Sequence, residues 1–338
     1  MARTVVGLEI TEESVRAAEV TIGRAPALVA YGEVPLPPGA AKDSEVLDAD
    51  AVALALRQLW SRTGIKGKRV VLGLGNRRIL VREYTTRALK PEQLRQALPF
   101  QVQDILPVPV DQAVLDFYEI DRGPLEVSGL LVAAVSETVE QLIATLSKAK
   151  IVADTVDLVP FGLARAVRAL ASPGETVAMV SIGDHTSYVV VTVDGAPRFV
   201  RIIPIDVSTA ATRAREGEGE AEQIEERVLE TVPPQPVRGR AALRSASAPD
   251  ALVVDLVARL RSTLDFYGNR PGAAPVTTVF LTGAGTAVSG VMPALMDALG
   301  VDVRVVLPTD LVSSKHPPLG DLGLNLVSTI GLALGQDR

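Results

Sequence analysis

Two short polar turns, one near the start of the chain and one near its middle, contain residue types that bind phosphate and magnesium. The first turn begins at Glu9-Ile10-Thr11, and the second begins at Ser181-Ile182-Gly183. Small residues in a tight turn expose backbone N–H groups that can cradle phosphates. An acid at the end of a strand can hold Mg²⁺ through water. The candidate cofactor-binding residues are therefore Glu9, Thr11, Gly183, Asp184 and Thr186, and the candidate metal ligand is Glu9.

A third glycine turn, Gly283-Ala284-Gly285, lies between a short apolar strand and a helix. Such a turn and its helix can hold a nucleoside, so Gly283 and Gly285 are also candidate cofactor-binding residues. Ordinary turn glycines remain the alternative for Gly183, Gly283 and Gly285, because one glycine turn alone is weak evidence. Asp184 could replace the acid absent at Ser181, although its position in the turn is shifted.

The polar turns belong to an internal repeat, which predicts two similar lobes. Each copy reads as a three-strand meander with turns in matching places. The copies are about 170 residues apart. The predicted strands are Val5–Ile10, Ser14–Val20 and Ala27–Val34 in the first copy, and Val177–Ile182, Ser187–Val193 and Arg198–Ile205 in the second.

A separate block between the repeats has the order β-α-β-β-α-β, which predicts a small α+β subdomain inserted in the first lobe. Its last predicted strand is Ile151–Leu158, and its first helix is Pro91–Leu106. The expected division is a first lobe at 1–83 and 159–172, an inserted subdomain at 84–158, a second lobe at 173–212 and 276–338, and a second-lobe subdomain with a flexible segment at 213–275.

Composition excludes several classes of protein. The formal net charge of −6 lacks the broad basic footprint of a nucleic-acid-binding protein. The absence of cysteine removes disulfides and thiolate chemistry, and two histidines are too few for a multi-histidine metal cluster. No signal peptide or membrane-spanning run is expected, so contact with a membrane would have to come through a partner.

Nearly the whole chain resembles the PilM family of type IV pilus assembly proteins, which are actin relatives similar to FtsA. The resemblance rests on VVGLEI, VSIGDHTSYVVVTVDGAPRFVRIIPI, VFLTGAGTAVSGVMPAL and the inserted LKPEQLRQALPFQVQDILPVPVDQAVLDFYEI. It implies an α/β, actin-like (ribonuclease H-like), two-lobed fold with an inserted α+β subdomain in the first lobe. It also implies that ATP and Mg²⁺ bind between the lobes, and it adds Gly7 and Glu222 to the cofactor-binding candidates.

The same resemblance implies a scaffold in the cytoplasm, peripheral at the inner face of the plasma membrane. PilM proteins bind the cytoplasmic N-terminal peptide of the inner-membrane protein PilN, in a groove between the first lobe and the inserted subdomain. Pro107 and Pro109 end the predicted helix Pro91–Leu106 of this subdomain. The candidate partner-binding residues beside them are Val102, Ile105, Leu106, Val108 and Val110, although a core position is the better interpretation of any single one.

The chain departs from the resembled pattern at both phosphate turns. The family pattern is acid-Ile-Gly, whereas the first turn here lacks the glycine and the second lacks the acid. Glu12 and Glu13 add charge to the first turn, and each would repel a phosphate charge about 5 Å away by roughly 3 kcal/mol at an effective dielectric of about 20. Glu225 stands where relatives have a lysine. These departures predict a weak or inactive ATPase.

Two other functions remain open alongside the pilus scaffold. One is an active cytoskeletal ATPase like FtsA, but the chain ends in GLALGQDR without a basic amphipathic helix. The other is a sugar-kinase-type phosphotransferase, which needs a carboxylate placed as a general base. No distinctive base is evident, and His185 is interpreted as a solvated turn histidine rather than a catalytic one.

Overall fold

The computed structural model describes residues 3–215 and 251–335. The strands in these ranges are β1 (Thr4–Ile10), β2 (Ser14–Thr21), β3 (Ala27–Pro35), β4 (Ala41–Lys42), β5 (Glu45–Val46), β6 (Arg69–Leu74), β7 (Leu80–Arg87), β8 (Ala113–Arg122), β9 (Glu126–Val135), β10 (Val152–Leu158), β11 (Thr176–Ile182), β12 (Thr186–Val193), β13 (Ala196–Pro204), β14 (Thr278–Thr282), β15 (Asp302–Val305) and β16 (Ser313–Ser314).

The α-helices that lie wholly within the same ranges are α1 (Ala49–Thr63), α2 (Pro91–Val102), α3 (Ser136–Lys148), α4 (Val159–Leu170), α5 (Ala251–Gly268), α6 (Val291–Leu299), α7 (Pro308–Leu311) and α8 (Gly320–Ala333). Residues 210–215 are also helical, up to the end of the first described range. Short 3₁₀ helices are present at Gln103–Ile105, Val110–Gln112 and Ala284–Ala287.

Two sheets repeat the same topology. The first has the strand order β10-β6-β1-β2-β3-β16, and the second has the order β13-β12-β11-β14-β15. Each sheet contains an antiparallel meander whose first strand is β1 or β11. This first strand also pairs in parallel with β6 or β14, respectively. The structure therefore contains the two meanders that the repeat predicted, and each begins one lobe.

The inserted block forms a separate three-stranded antiparallel sheet with the order β7-β9-β8. Helix α2 packs its buried Leu94, Leu98 and Val102 on this sheet. The α-helix ends at Val102 rather than at the predicted Leu106, and a 3₁₀ turn at Gln103–Ile105 follows it. Leu106 leaves the helical region because it precedes Pro107.

Strand β10 lies in a different sheet from the predicted one. It pairs in parallel with β6 in the six-stranded sheet, from Arg69 opposite Val152 to Leu74 opposite Leu158. The prediction had placed this strand in the inserted subdomain. It was wrong on this point because a parallel partner some 80 residues earlier leaves no trace in local periodicity.

Helices α4 and α8 lie between the two large sheets and join the lobes. Helix α8 contacts β1, β2 and β6 of the first sheet and β14 of the second, and α4 contacts strands of both sheets. Most side chains of α8 are buried. At the crossing of α4 and α8, a Cβ added to Gly331 would lie 2.1 Å from the carbonyl oxygen of Gly162. Glycine at this position therefore permits the close packing that joins the lobes.

Outer helices cover the remaining faces of the two sheets. Helix α1 packs on β2 and β3 of the first sheet, and α5 and α6 contribute to the core of the second lobe. Helix α1 begins where the Asp48 side chain accepts hydrogen bonds from the backbone N–H groups of Asp50 and Ala51. It ends at Gly64, whose φ of 72° is the left-handed conformation that glycine adopts without a steric penalty.

Candidate functional site

The two polar turns face each other across a narrow cleft between the lobes. The cleft has a volume of about 40 Å³ and lies between residues 11–13 of the first lobe and residues 183–186 of the second. The predicted site residues that line it are Glu9, Thr11, Gly183, Asp184 and Thr186. The structure thus brings these five residues together, and their role in binding a cofactor stays a prediction.

Side chains of the protein itself cross this cleft. Glu13 of the first lobe places Oε1 2.8 Å from Nε2 of His185 and Oε2 2.5 Å from Nε of Arg215. Both partners belong to the second half of the chain. Glu13 is only 5% exposed, so its carboxylate is bound on both sides in a largely dry environment. We call Glu13, His185 and Arg215 the interlobe clasp.

Arg215 also holds the backbone of the first lobe. Its Nη2 donates to the carbonyl oxygens of Glu12 at 3.1 Å, Glu13 at 3.2 Å and Leu36 at 2.6 Å. Charge-assisted hydrogen bonds of this kind are stronger than bonds between neutral groups. The clasp therefore fixes the first polar turn as well as spanning the cleft.

His185 is protonated in this arrangement. Its Nε2 faces Glu13 Oε1, and its Nδ1 lies 2.7 Å from Asp206 Oδ1. Only the imidazolium has a proton on each ring nitrogen to donate to two carboxylates. The hydrogen bond to Glu13 and the bond to Asp206 raise the pKa of His185 to about 9. The interpretation of His185 as a solvated turn residue was therefore wrong, because its position between two carboxylates makes it an interlobe contact.

Glu12, Glu13 and His185 place three potential ligand atoms within 4.8 Å of one another, which raises the question of a metal site. A metal ion at this position would have to displace a ring proton of His185 and break its hydrogen bond to Glu13. Glu12 Oε1 is 4.0 Å from His185 Nε2, so it adds to the negative charge around the ring. Together with Arg215, these three side chains form an ion-pair network.

A second cation, Arg16, is buried beside the acids of the cleft. Arg16 is 5% exposed, lines the cleft, and donates from Nη2 to the hydroxyl of Thr11 at 3.2 Å. Burial disfavours its charge, but the carboxylates of Glu33, Glu9 and Asp184 outweigh that effect and raise its pKa. Arg16 therefore supplies positive charge among the buried acids of the cleft.

Glu9 is held by two hydroxyl groups of helix α8. The hydroxyls of Ser328 and Thr329 both donate to Oε1 of Glu9 at 2.7 Å. Burial raises the pKa of Glu9, while Arg16 and these two hydroxyls lower it by a smaller amount. Oε1 of Glu9 is therefore held by α8 at the floor of the cleft.

Asp184 is also engaged by its own lobe. Thr209 donates its hydroxyl to Oδ1 of Asp184 at 2.5 Å, and the backbone N–H of Val207 donates to the Asp184 carbonyl at 2.8 Å. The side chain of Asp184 is buried. The shifted acid of the second turn thus stabilises the loop that follows β13.

Gly7, Gly283 and Gly285 do not line the cleft. A Cβ at Gly7 would lie 2.0 Å from the carbonyl oxygen of Thr329, so this glycine permits α8 to pack on β1. The N–H of Gly283 donates to the carbonyl of Leu324, and a Cβ at Gly285 would contact Ile182 at 2.3 Å. The three glycines serve close packing in the structure. Glu222 lies outside the described residues.

The predicted partner-binding residues lie at the end of α2 and in the segment that leads to β8. Val102 is fully buried in the core of the inserted sheet, so its assignment to a partner surface was wrong. Its position follows from the helical spacing of Leu94, Leu98 and Val102 along one face of α2. The partly exposed residues are Ile105, Leu106, Val108 and Val110.

The interlobe clasp and the buried Arg16 were not predicted from the sequence. Arg16 and Glu19 are charged residues in a strand that otherwise contains small and apolar residues and Thr21, and charges inside such a run were an available signal. Glu13 and His185 are 172 residues apart, and no local pattern connects them. Their contact depends on how the two lobes meet.

Solved structures with the same fold share little sequence with this chain. The PilM-PilN type IV pilus biogenesis complex contains a chain that is 22% identical with a TM-score of 0.78, and the match covers 99% of this chain and 98% of that one. The cytoplasmic domain of EpsL, an inner-membrane component of the type II secretion system of Vibrio cholerae, is 9% identical with a TM-score of 0.51 and coverage of 99% and 97%. The ethanolamine utilization protein EutJ from Carboxydothermus hydrogenoformans is 15% identical with a TM-score of 0.50 and coverage of 99% and 90%.

These matches and the two repeated lobes define the class of the protein. It has the actin-like, two-lobed α/β fold with an inserted α+β subdomain, which confirms the predicted fold class. Residues 7–202 match the sequence profile of the type IV pilus assembly protein PilM. The chain belongs to this family, as the resemblance of its motifs predicted.

Proposed function

We propose that this protein is a cytoplasmic scaffold of type IV pilus assembly that binds the N-terminal peptide of a PilN-like inner-membrane protein. The observation that carries the proposal is the match, over nearly the full length of both chains, to a PilM chain solved with PilN. Among the described residues, no helix is long and apolar enough to cross a bilayer. A membrane-bound partner would then hold the scaffold at the inner face of the membrane.

The peptide would dock on the segment between α2 and β8. Four apolar residues there are partly exposed, namely Ile105, Leu106, Val108 and Val110. Ile105 ends one 3₁₀ turn and Val110 begins another, and Leu106 between them has an extended backbone before Pro107. Ile105 and Leu106 also pack against the core of the inserted sheet, so their exposed parts and those of Val108 and Val110 would form the apolar contact surface.

A titration of the peptide tests this proposal. The probe is a synthetic peptide with the cytoplasmic N-terminal sequence of the PilN-like protein from the same genome. Calorimetry measures its binding to the protein. We expect the wild-type chain to bind it, and we expect Ile105→Asp and Val110→Asp to weaken binding by at least about tenfold, because a charge in an apolar contact is costly.

Leu125→Asp is the matched control, because Leu125 is 80% exposed in the turn between β8 and β9 of the same inserted sheet. This variant should bind the peptide as the wild type does. Circular dichroism must show that all three variants are folded. Folded Ile105 and Val110 variants with wild-type affinity would place the peptide elsewhere, and unfolding of both would make these residues core.

We further infer that the cleft does not hold Mg²⁺ and ATP in a productive way. Ligand pockets usually have volumes of about 300–1,000 Å³. The space enclosed by the two polar turns is about 40 Å³, and a wider space of about 720 Å³ adjoins it at Glu12, Asp43 and His185. The interlobe clasp crosses the space between the turns, and Arg16 already neutralises the buried acids. The residues present do not fit the nucleotide and its metal ion. The same observations weigh against an FtsA-like ATPase and against a phosphotransferase.

A further inference from the structure

A second and larger groove lies between the inserted sheet and the second lobe. Its volume is about 520 Å³. One wall contains the consecutive residues Leu80–Glu83 of β7, and the other contains Arg198–Ile202 of β13. Successive residues of a strand point to opposite faces. A groove that contacts all of them must therefore run along the strand edges.

Neither β7 nor β13 has a second hydrogen-bonded strand partner within the described residues, although the two strands also contact each other along part of their length. Strand β7 is the outermost strand of the inserted sheet, and β13 is the outermost strand of the five-stranded sheet. Each edge presents a row of backbone N–H and C=O groups without a strand partner there. An extended peptide can satisfy such groups by lying along the edge.

The groove is strongly positive although the whole chain is acidic. Its lining includes Arg77, Arg82, Arg198, Arg201 and Arg270, against the single carboxylate of Glu83. The formal net charge of the chain is −6. This concentration of arginines is therefore a local feature of the groove rather than a property of the surface as a whole.

Three of these arginines lack an internal anion. Arg270 forms an ion pair with Glu83, and Arg77 pairs with Asp43 at 2.9 Å. Over residues 3–215 and 251–335, no hydrogen bond or ion pair reaches the guanidinium of the remaining three, which are Arg82, Arg198 and Arg201. Arg198 is partly buried, so its charge loses some hydration without gaining a carboxylate. An external anion would supply the missing partner.

An aromatic cluster completes the wall of the groove. Phe266 is 55% exposed, and its ring centroid lies 6.0 Å from that of Phe199. The guanidinium of Arg270 lies over the Phe199 ring, 5.7 Å from its centroid. The groove therefore offers apolar contact area beside its guanidinium groups, which suits a chain with both acidic and apolar side chains.

We propose that this groove binds an extended segment of a partner protein in which acidic and apolar residues alternate. Arginine recognises carboxylates in bidentate geometry, and the free strand edges bind the backbone of the same segment. An enclosed pocket would suit a nucleotide better, but exposed Phe266, Arg82 and Arg201 leave this groove open. The groove lies at the β7 edge of the inserted sheet, whereas the proposed PilN-binding segment leads into β8 at the opposite edge. The two surfaces could be occupied at once.

The test uses the full chain and a fluorescein-labelled peptide of sequence Glu-Val-Glu-Val-Glu-Val, with Lys-Val-Lys-Val-Lys-Val as the control peptide. We expect the fluorescence anisotropy to rise to saturation with the acidic peptide and not with the control peptide. Binding of the acidic peptide should weaken as the salt concentration rises from about 50 mM to about 200 mM. Arg198→Glu and Arg201→Glu should each weaken binding by at least about tenfold. Arg24→Glu, at an exposed turn of the first lobe, makes the same charge change and should leave binding unchanged.

Several results would overturn the proposal. One is equal binding of the acidic peptide to the wild type and to folded Arg198→Glu and Arg201→Glu variants. Another is tighter binding of a labelled single-stranded oligonucleotide, which would make the groove a nucleic-acid site. Residues 216–226 of this chain contain six glutamates. If their deletion strengthens peptide binding by about tenfold or more, the occupant is the chain's own segment rather than a partner.

Discussion

At the scale of single residues, the cleft between the lobes is defined by charges that bind one another. Glu13 joins two cations of the second half of the chain, and its near-complete burial makes this contact more important than a surface ion pair. The buried cation Arg16 likewise offsets the negative charge of nearby carboxylates in the cleft. In a nucleotide-binding relative, phosphates and a metal ion would compete for the same positions.

Glu13→Gln tests the contribution of the clasp. The variant keeps the shape of the side chain but leaves His185 and Arg215 without their shared anion. We expect the free energy of unfolding to fall by about 2–3 kcal/mol, because removing one partner of a buried pair leaves uncompensated charge. Urea denaturation measures the change.

Glu12→Gln is the matched control for this variant. The Glu12 carboxylate lies at 4.0 Å from His185 and is more exposed than Glu13, so its loss should cost less than about 1 kcal/mol. Equal losses for the two variants would contradict the central role assigned to Glu13.

The clasp also predicts a dependence of stability on pH. The folded chain raises the pKa of His185 to about 9, above its ordinary value of 6.5, through Glu13 and Asp206, with Glu12 nearby. A raised pKa means that the imidazolium stabilises the folded chain fully below about pH 6.5 and that this contribution is lost as pH rises through about 9.

His185→Gln isolates this contribution. We expect the variant to be less stable than the wild type by about 1–2 kcal/mol near pH 6, with a difference that shrinks toward zero above about pH 9. Urea denaturation across this range measures it. A difference that stays constant with pH would show that His185 contributes through packing alone.

At the scale of elements, α8 decides how the lobes meet. This helix packs on β1 through the backbone contact at Gly7 and on α4 through the contact between Gly331 and Gly162. It also supplies the hydroxyls that hold Glu9. Close packing of one helix therefore fixes both the interface between the lobes and the floor of the cleft.

Gly331→Ala tests this packing. The added methyl group would meet the Gly162 carbonyl oxygen at 2.1 Å, so α4 and α8 must separate. We expect a loss of about 2–3 kcal/mol in the free energy of unfolding, as for an overpacked core. Gly268→Ala is the control, because a Cβ there meets nothing within 4 Å. Similar effects of the two substitutions would argue against a packing role for Gly331.

The sequence predicted those elements whose signals are local. Both meanders follow from alternating strands and from turns such as Asp194-Gly195, and α1 follows from its apolar stripe and Gly64. The five polar-turn residues were also placed correctly beside one another. The sequence could not predict the pairing of β10 with β6, the burial of Val102 or the contact of Glu13 with His185, because each depends on long-range packing.

At the scale of the whole molecule, the fold keeps the two lobes of an actin-like protein, and the interlobe clasp crosses the space between its two polar turns. The inserted sheet offers two different edges to partners, with the apolar segment before β8 on one side and the arginine-lined groove at β7 on the other. Under the proposed function, these two edges would let the protein bind two partners at once.

The most direct test is a calorimetric titration of the PilN-derived peptide into the protein, performed with and without about millimolar Mg²⁺ and ATP. We predict saturable peptide binding with the same affinity in both conditions, and no separate heat of nucleotide binding, because the clasp occupies the cleft. Absence of peptide binding would contradict the scaffold function. Micromolar binding of ATP, or a tenfold change in peptide affinity when it is added, would show that the cleft opens and that nucleotide controls the scaffold.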